Sequence, residues 1–256
     1  LFTGMKQLTV SSSVGDFTFY DNQNNIILNK FEGFEFADIK STFDEVASNK
    51  VVFAGSKFGR RRISWSGDFV GDDIFTLRRQ MLAVMNQTNE LKTIQFTTYD
   101  NLELQCEAEI VKILNPYTHS IHSYLIEAIA PDWRFYSQAL HSTEIITDEL
   151  INNAGNEKTD LTIAIYGPVT NPVITNYTTG DSFELAVTLT EGQVVSIDTK
   201  LKTVLLGTTN YYRYFSGDFI NLIAGNNDIE LDYDEYSEYD ENTKLVISWR
   251  DAYRGI

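Results

Sequence analysis

A chain of 256 residues with 43% apolar and 13% aromatic side chains can bury one large core or two ordinary ones, which excludes wholesale disorder. Its formal net charge of -16 excludes ordinary DNA binding, which needs lysine and arginine to displace the counterions of the phosphates. A single cysteine, Cys106, excludes an internal disulfide framework and a cysteine-rich zinc module.

The opening "LFTGMKQLTV" has neither the basic-then-apolar layout of a secretory signal nor an initiator methionine, so a removed tag or leader is expected. No apolar run reaches bilayer length, so no membrane insertion is expected. The solitary thiol suits assembly in a reducing cytoplasm. Charge is unevenly spread. Residues 1–135 carry 13 basic and 17 acidic side chains, and residues 136–256 carry 7 and 19, a contrast that favours two domains.

In chain order, "GSKFG" at residues 55–59 is neither a nucleophile elbow nor a phosphate-binding loop, and reads as a mobile loop. The adjoining "GRRRIS" supplies Arg60, Arg61 and Arg62, the densest positive charge in the chain. They read equally as a solvated strand end or as a contact for an acidic partner surface, another copy of the chain included. The stretch "GDDIFTLRRQMLAVMN" predicts a helix, with Ile74, Leu77, Met81, Leu82 and Met85 on one face and Asp72 and Asp73 at its start.

Nearly everything else predicts strands: "LKTIQFTTYD", "LELQCEAEIVKIL", "HSYLIEAIAP", "LTIAIYG", "SFELAVTL" and "TKLVISW" are short, β-rich and bounded by turn residues. Turns are expected at Asp100-Asn101 and Glu191-Gly192. Pro131 ends a strand, and a boundary follows "APDWRFYSQ", giving domains 1–136 and 137–256. The segment "HSTEIITDELINNAGNEKTD" reads as a long polar lead into the second strand series.

In "GQVVSIDTKLKTVLL", Val195 and Ile197 alternate before Asp198, and Leu201 and Val204 follow. That is a hairpin, with Asp198 suited to bonding the backbone two residues on. "DIELDYDEYSEYDEN" reads as a strand with one buried face followed by an acidic loop. It lacks the calcium-loop glycine and ligand spacing, which makes calcium near residues 228–241 the minority reading. Tyr211, Tyr212 and Tyr214 in "NYYRYF" are candidates for stacking on sugar rings, or strand aromatics that are half core.

His119, His122 and His141 form no zinc signature and read as surface or turn histidines. No carboxylate pair is nominated for glycoside hydrolysis. The expectation is therefore a protein without catalytic residues, metal or cofactor.

In order, "FTFYDNQNNIILNKFEGFEF", "RRRISWSGDF", "DDIFTLRRQMLAVMN", "APDWRFYS" and the block from "NNAGN" to "IDTKLKTVLLG" resemble the distal tail proteins of long-tailed, non-contractile bacteriophages. The most specific part is a "G-x-x-x-NP-x-I-x-N" strand pair, here Gly167, Asn171, Pro172, Ile174 and Asn176, before a "G-x-x-x-x-IDT" hairpin, here Gly192, Ile197, Asp198 and Thr199. Trp133-Arg134 departs from the proline-aromatic pair common at the end of the family's first domain.

The resemblance implies a mainly β protein of two β-sandwich domains. The first carries one α-helix and an extended arm; the second is galectin-like, of jelly-roll type. It implies a structural virion protein that forms a hexameric ring at the tail tip, between the tail tube protein and a tail-tip hub. A receptor-binding protein is a further partner, and assembly takes place in the host cytoplasm. The arm is expected within residues 39–62, with Arg60, Arg61 and Arg62 at the subunit interface. The alternative is a carbohydrate-binding module built on the second domain.

Overall fold

The computed structural model describes residues 5–20, 25–35, 39–46, 50–115, 122–234 and 243–255. The chain divides into two compact units, residues 1–138 with 253–256, and residues 139–252. Against the expected 1–136 and 137–256, the division falls two residues later, and the last four residues group with the first unit.

The first unit contains β1 (Met5–Ser12), β2 (Gly15–Tyr20), β3 (Ile26–Glu32), β4 (Ile39–Val46), β5 (Lys50–Phe58), β6 (Arg61–Phe69), α1 (Ile74–Met85), β7 (Lys92–Thr98), β8 (Glu103–Leu114), β9 (His122–Ala130) and β10 (Phe135–Ser137). Antiparallel neighbours run β2-β1-β7-β8-β9-β6-β3, and β10 pairs with β8. The long strand β8 serves two layers. Its first half pairs with β7 and its second with β9, with a register shift between Ile110 and Lys112. A bulge of this kind bends a strand and re-aims its side chains, so one strand turns the corner of the sandwich.

Alternation fills the space between the layers. Leu8, Val10, Phe17, Phe19, Trp65, Phe69, Ile94, Phe96 and Tyr124 all face inward and are buried. Phe19 lies edge-on to Trp65, with ring centroids 5.8 Å apart. Gly67 lies opposite Tyr124 in the register. A Cβ there would stand 1.8 Å from the Ile27 carbonyl oxygen, which instead accepts a 3.0 Å hydrogen bond from the Tyr124 hydroxyl.

Helix α1 buries Met81, Val84 and Met85, with Ile74, Leu77 and Leu82 packed beside them. The expected acidic cap is only half realised. Asp73 holds the N-cap position through its carbonyl, which accepts from Thr76 and Leu77, while its carboxylate makes no cap bond. The carboxylate is left with the favourable field of the helix end.

Strands β4 and β5 pair with each other in a two-stranded sheet of their own. "GSKFG" therefore does not form a loop: residues 55–58 belong to β5, and Gly55, at φ 145°, sits at the register shift of the hairpin. Two strands alone bury little, so this arm lacks the layered packing of the sandwich.

The second unit contains β11 (His141–Ile145), β12 (Asp148–Asn153), β13 (Leu161–Tyr166), β14 (Val169–Thr170), β15 (Val173–Asn176), β16 (Asp181–Leu185), β17 (Thr188–Leu189), β18 (Val194–Asp198), β19 (Thr203–Leu206), β20 (Thr209–Asn210), β21 (Phe215–Gly217), β22 (Gly225–Asp232) and β23 (Lys244–Trp249). Two antiparallel sheets, β11-β23-β13-β18-β19-β20 and β12-β22-β15-β16-β21, enclose a core of Ile163, Ile165, Ile174, Phe183, Val195, Ile197, Ile229 and Ile247. β14 and β17 form a separate ribbon. The segment read as a polar lead supplies β11 and β12, one terminal strand for each sheet. Polar side chains there face outward, and only Ile145, Ile151 and Asn153 turn in.

Candidate functional site

The three arginines separate by strand parity. In β6, Arg61 shares its face with Ile63, Trp65 and Phe69, and the core takes that face. Arg61 is 1% exposed. Its Nε donates to the Trp133 carbonyl at 2.7 Å, its Nη1 to the Gly33 carbonyl at 2.7 Å, and its Nη2 to the Arg254 carbonyl. The guanidinium carbon lies 4.2 Å from the centroid of the Phe135 ring. Arg61 is therefore withdrawn from the expected interface trio, because its fork is used inside its own unit. Arg60 and Arg62 are exposed. Arg62 lines a shallow groove with Glu32, Ser64, Val111, Glu127 and Ile129.

Trp133 and Arg134, the departure from the family pattern, have local tasks. The Trp133 ring stacks on Phe58 at the end of β5, with centroids 4.0 Å apart. Arg134 grips Asp132 through Nε and Nη2, each at 3.1 Å, and the Tyr136 hydroxyl donates to the same carboxylate at 2.7 Å. Burial pushes the Asp132 carboxyl up, but the Arg134 charge and these hydrogen bonds more than offset it, and hold the group well below the usual carboxylate range.

The side chains of the block carrying the most specific resemblance fasten loops. Asn171, at φ 49°, donates to Asp234 at 2.8 Å. The Pro172 carbonyl accepts from the Leu185 amide at 3.0 Å. Buried Asn176 donates to the Asn221 carbonyl at 2.9 Å and accepts from the Thr178 amide at 3.0 Å. Buried Asn227 donates to the Ile223 and Gly225 carbonyls, each at 2.9 Å. Both amides thus supply hydrogen bonds to the backbone of residues 221–225, the turn that leads into β22. Gly167 is required because a Cβ would stand 2.5 Å from the Thr190 carbonyl oxygen.

Asp198 is a turn residue. Its Oδ1 accepts from the amides of Lys200 at 2.9 Å and Leu201 at 2.8 Å, and Lys202 closes the turn at φ 56°. Thr199 is buried and exchanges two bonds with Leu161: its hydroxyl accepts from the Leu161 amide at 2.7 Å, and its own amide donates to the Leu161 carbonyl at 3.0 Å.

One of the histidines differs from the expected surface or turn position, and His141 keeps it, with its side chain 40% exposed. His122 is buried at the start of β9, its ring edge-on to Phe75 at 5.5 Å, so it is a core residue and not a surface one. His141 lies on Trp249 at 5.4 Å, with Nε2 3.1 Å from the Asp251 carboxylate. Asp251 also accepts from the Ala154 amide at 3.0 Å. Sequence reading missed this pair because its members stand near opposite ends of the unit's chain. His119 lies outside the described residues.

On β22 and beyond, Ile229 and Leu231 face the core, while Asp228, Glu230 and Asp232 alternate with them. Residues 235–242 of the acidic stretch lie outside the described residues. Among the described residues, no three His, Cys, Asp or Glu side chains converge on a point that could hold a metal ion.

Tyr211, Tyr212 and Tyr214 surround a 3-10 turn, Tyr212–Tyr214, just before β21. Tyr211 and Tyr214 are half-buried and lie 5.1 Å apart, whereas Tyr212 is 48% exposed. The structure thus brings the three tyrosines into one patch of the second unit and gives them different exposures.

Three comparisons bear on these features. Residues 154–253 match the family model described as siphovirus-type tail component, C-terminal domain. No curated protein matches the chain by sequence. Among solved structures, the fold matches the Dit protein (gp 19.1) of phage SPP1, described as a paradigm of the hub adsorption apparatus in phages infecting Gram-positive bacteria. That match has a TM-score of 0.68 and 12% identity, and covers 96% of this chain and 98% of that one. A chain of the phage P2 baseplate in its activated conformation with calcium matches with a TM-score of 0.56 and 10% identity, over 98% of this chain and 99% of that one. The same baseplate with strontium gives 0.53 and 11%, over 96% and 98%.

Proposed function

We propose that this chain, Dit-like in fold along its length and carrying the siphovirus-type tail component domain in its second unit, is a structural virion protein at the distal end of a long, non-contractile phage tail. Six copies close into a ring. The first unit builds it and joins the tail tube protein to the tail-tip hub. The second unit carries the attachment side, where a receptor-binding protein docks. The chain acts by holding partners and not by turning over a substrate.

One observation carries this reading: the match spans both units, with the fold of the SPP1 hub protein extending over 96% of this chain. The β4–β5 arm supports it, because a two-stranded ribbon gains stability by lying on another surface. The neighbouring subunit is the surface we assign to it, with Arg60 and Arg62 at the contact. Light scattering on the purified chain tests the ring. The expected mass is six times the 29.2 kDa of one chain. A monomer at every concentration examined overturns the ring, and an unchanged mass after charge reversal at Arg60 and Arg62 removes those residues from the contact.

A further inference from the structure

The aromatic patch of the second unit is more than the closure of a sandwich. Buried Phe183 stacks on Phe215 at 5.1 Å and 25°, and Phe215 stacks on Phe219 at 4.3 Å and 19°. Tyr212 lies nearly parallel to both, 5.9 Å from Phe215 and 6.2 Å from Phe219. Four nearly parallel rings therefore cluster between the core and an exposed tyrosine, with Tyr212 beside the Phe215–Phe219 pair. The turn that carries Tyr212 is fixed. The Tyr212 amide donates to the Asn210 side chain at 2.8 Å, the Tyr211 amide to the Val204 carbonyl at 2.8 Å, and the Ala186 amide to the Tyr214 carbonyl at 2.9 Å.

Half of the unit's basic side chains gather around these rings, beside Asp198 and Asp218. Residues 139–252 carry six basic and nineteen acidic side chains, and three of the six, Lys200, Lys202 and Arg213, belong to the adjoining turns. The Lys202 ammonium stands 5.0 Å from the centroid of Phe219. Arg213 lies over the Tyr214 ring at 4.5 Å and donates to its hydroxyl.

A rigid, exposed aromatic plate beside cations suits one class of ligand. A sugar ring has a C–H face of about the area of a phenol ring, and its polar groups lie around the rim. Ordering such a plate costs little at the moment of binding, because the fixed turn and the neighbouring rings already restrict it. A single exposed ring is far below the area of a stable protein interface, about 800 Å² per partner. The nineteen acids of the unit disfavour a nucleic acid.

We infer that Tyr212 with Lys202 and Arg213 forms a binding site for an acidic glycan, whose sugar ring stacks on Tyr212 and whose phosphate or carboxylate meets the two cations. This goes beyond the proposed tail function and does not depend on ring formation.

The test is binding of the full chain to immobilised saccharides, neutral and acidic, at two salt concentrations. Acidic saccharides should be retained and released by salt, as contacts with exposed charges require. Tyr212→Ala should weaken binding about tenfold or more, and Tyr212→Phe should change it by less than about twofold, since the ring persists. Lys202→Ala with Arg213→Ala should reduce the preference for acidic over neutral sugars. All three replaced side chains are exposed, and a circular dichroism spectrum like that of the parent excludes misfolding. Failure of every saccharide to bind overturns the inference, as does binding that Tyr212→Ala leaves unchanged or that does not distinguish acidic from neutral sugars.

Discussion

Arg61 Nε and the Trp133 carbonyl oxygen, 72 positions apart in the chain, stand 2.7 Å from each other in the interior of the first unit. The same guanidinium serves Gly33 and Arg254, so one side chain gathers three separate backbone segments. Replacing Arg61 by methionine keeps the bulk and removes all three donors. The expected loss is about 3 kcal/mol or more, the cost of stranding buried carbonyls. Arg61→Lys should recover only part, since an ammonium cannot reproduce the fork. Urea denaturation of the three proteins measures this, and hydrogen exchange at residues 253–255 should accelerate in the methionine variant.

Asp198→Ala removes two backbone hydrogen bonds at an exposed turn. A cost of about 1 kcal/mol is expected, with Asp198→Asn losing less. Thermal melts check the stability. Any ring seen by light scattering should persist in both variants, because the carboxylate serves its own hairpin.

The Asp132 carboxyl has its folded-state pKa depressed, so it stabilises the fold at pH values above its unfolded pKa of about 3.9. That contribution is lost as pH falls towards the folded value. Asp132→Asn should therefore be less stable than the parent at pH 7, with the gap narrowing below about pH 4. Denaturant titrations at pH 7 and pH 3 give the two differences, and a gap that widens in acid would contradict the assignment.

Cys106 faces the core from β8, and burial pushes its thiol up to about 12. At pH 8 it is both shielded and un-ionised. Iodoacetamide should leave the folded chain unlabelled for hours and label it fully in denaturant, as read by mass spectrometry.

The sequence exposes period better than partnership. Alternation located β7, β8, β9, β13, β18 and β23, and the three-and-four spacing located α1, because both patterns follow directly from which face is buried. The same alternation could have placed Arg61: it shares parity with Ile63, Trp65 and Phe69, yet three adjacent arginines suggest one charged surface patch. Strands β11 and β12 were obscured because they are terminal strands with few inward residues. β5 was obscured because its glycines mimic a loop and its pairing with β4 is not a matter of composition. The Asn176–Asn227 link, the His141–Asp251 pair and the Phe183–Phe215 contact join residues distant in the chain, where local pattern has nothing to say.

Residues 253–256 group with the first unit although the second intervenes. A Cβ on Gly255 would stand 1.2 Å from the Glu35 carbonyl oxygen, so only a bare backbone fits there. The second unit is thus an insertion, attached by two strands of chain and not suspended from one. A protease that severed the connection near residue 138 would not free it, because Arg61 would still hold the returning segment without a covalent bond. A pull on the second unit is likewise shared between two tethers, and the three-armed guanidinium is one of the contacts that hold the second.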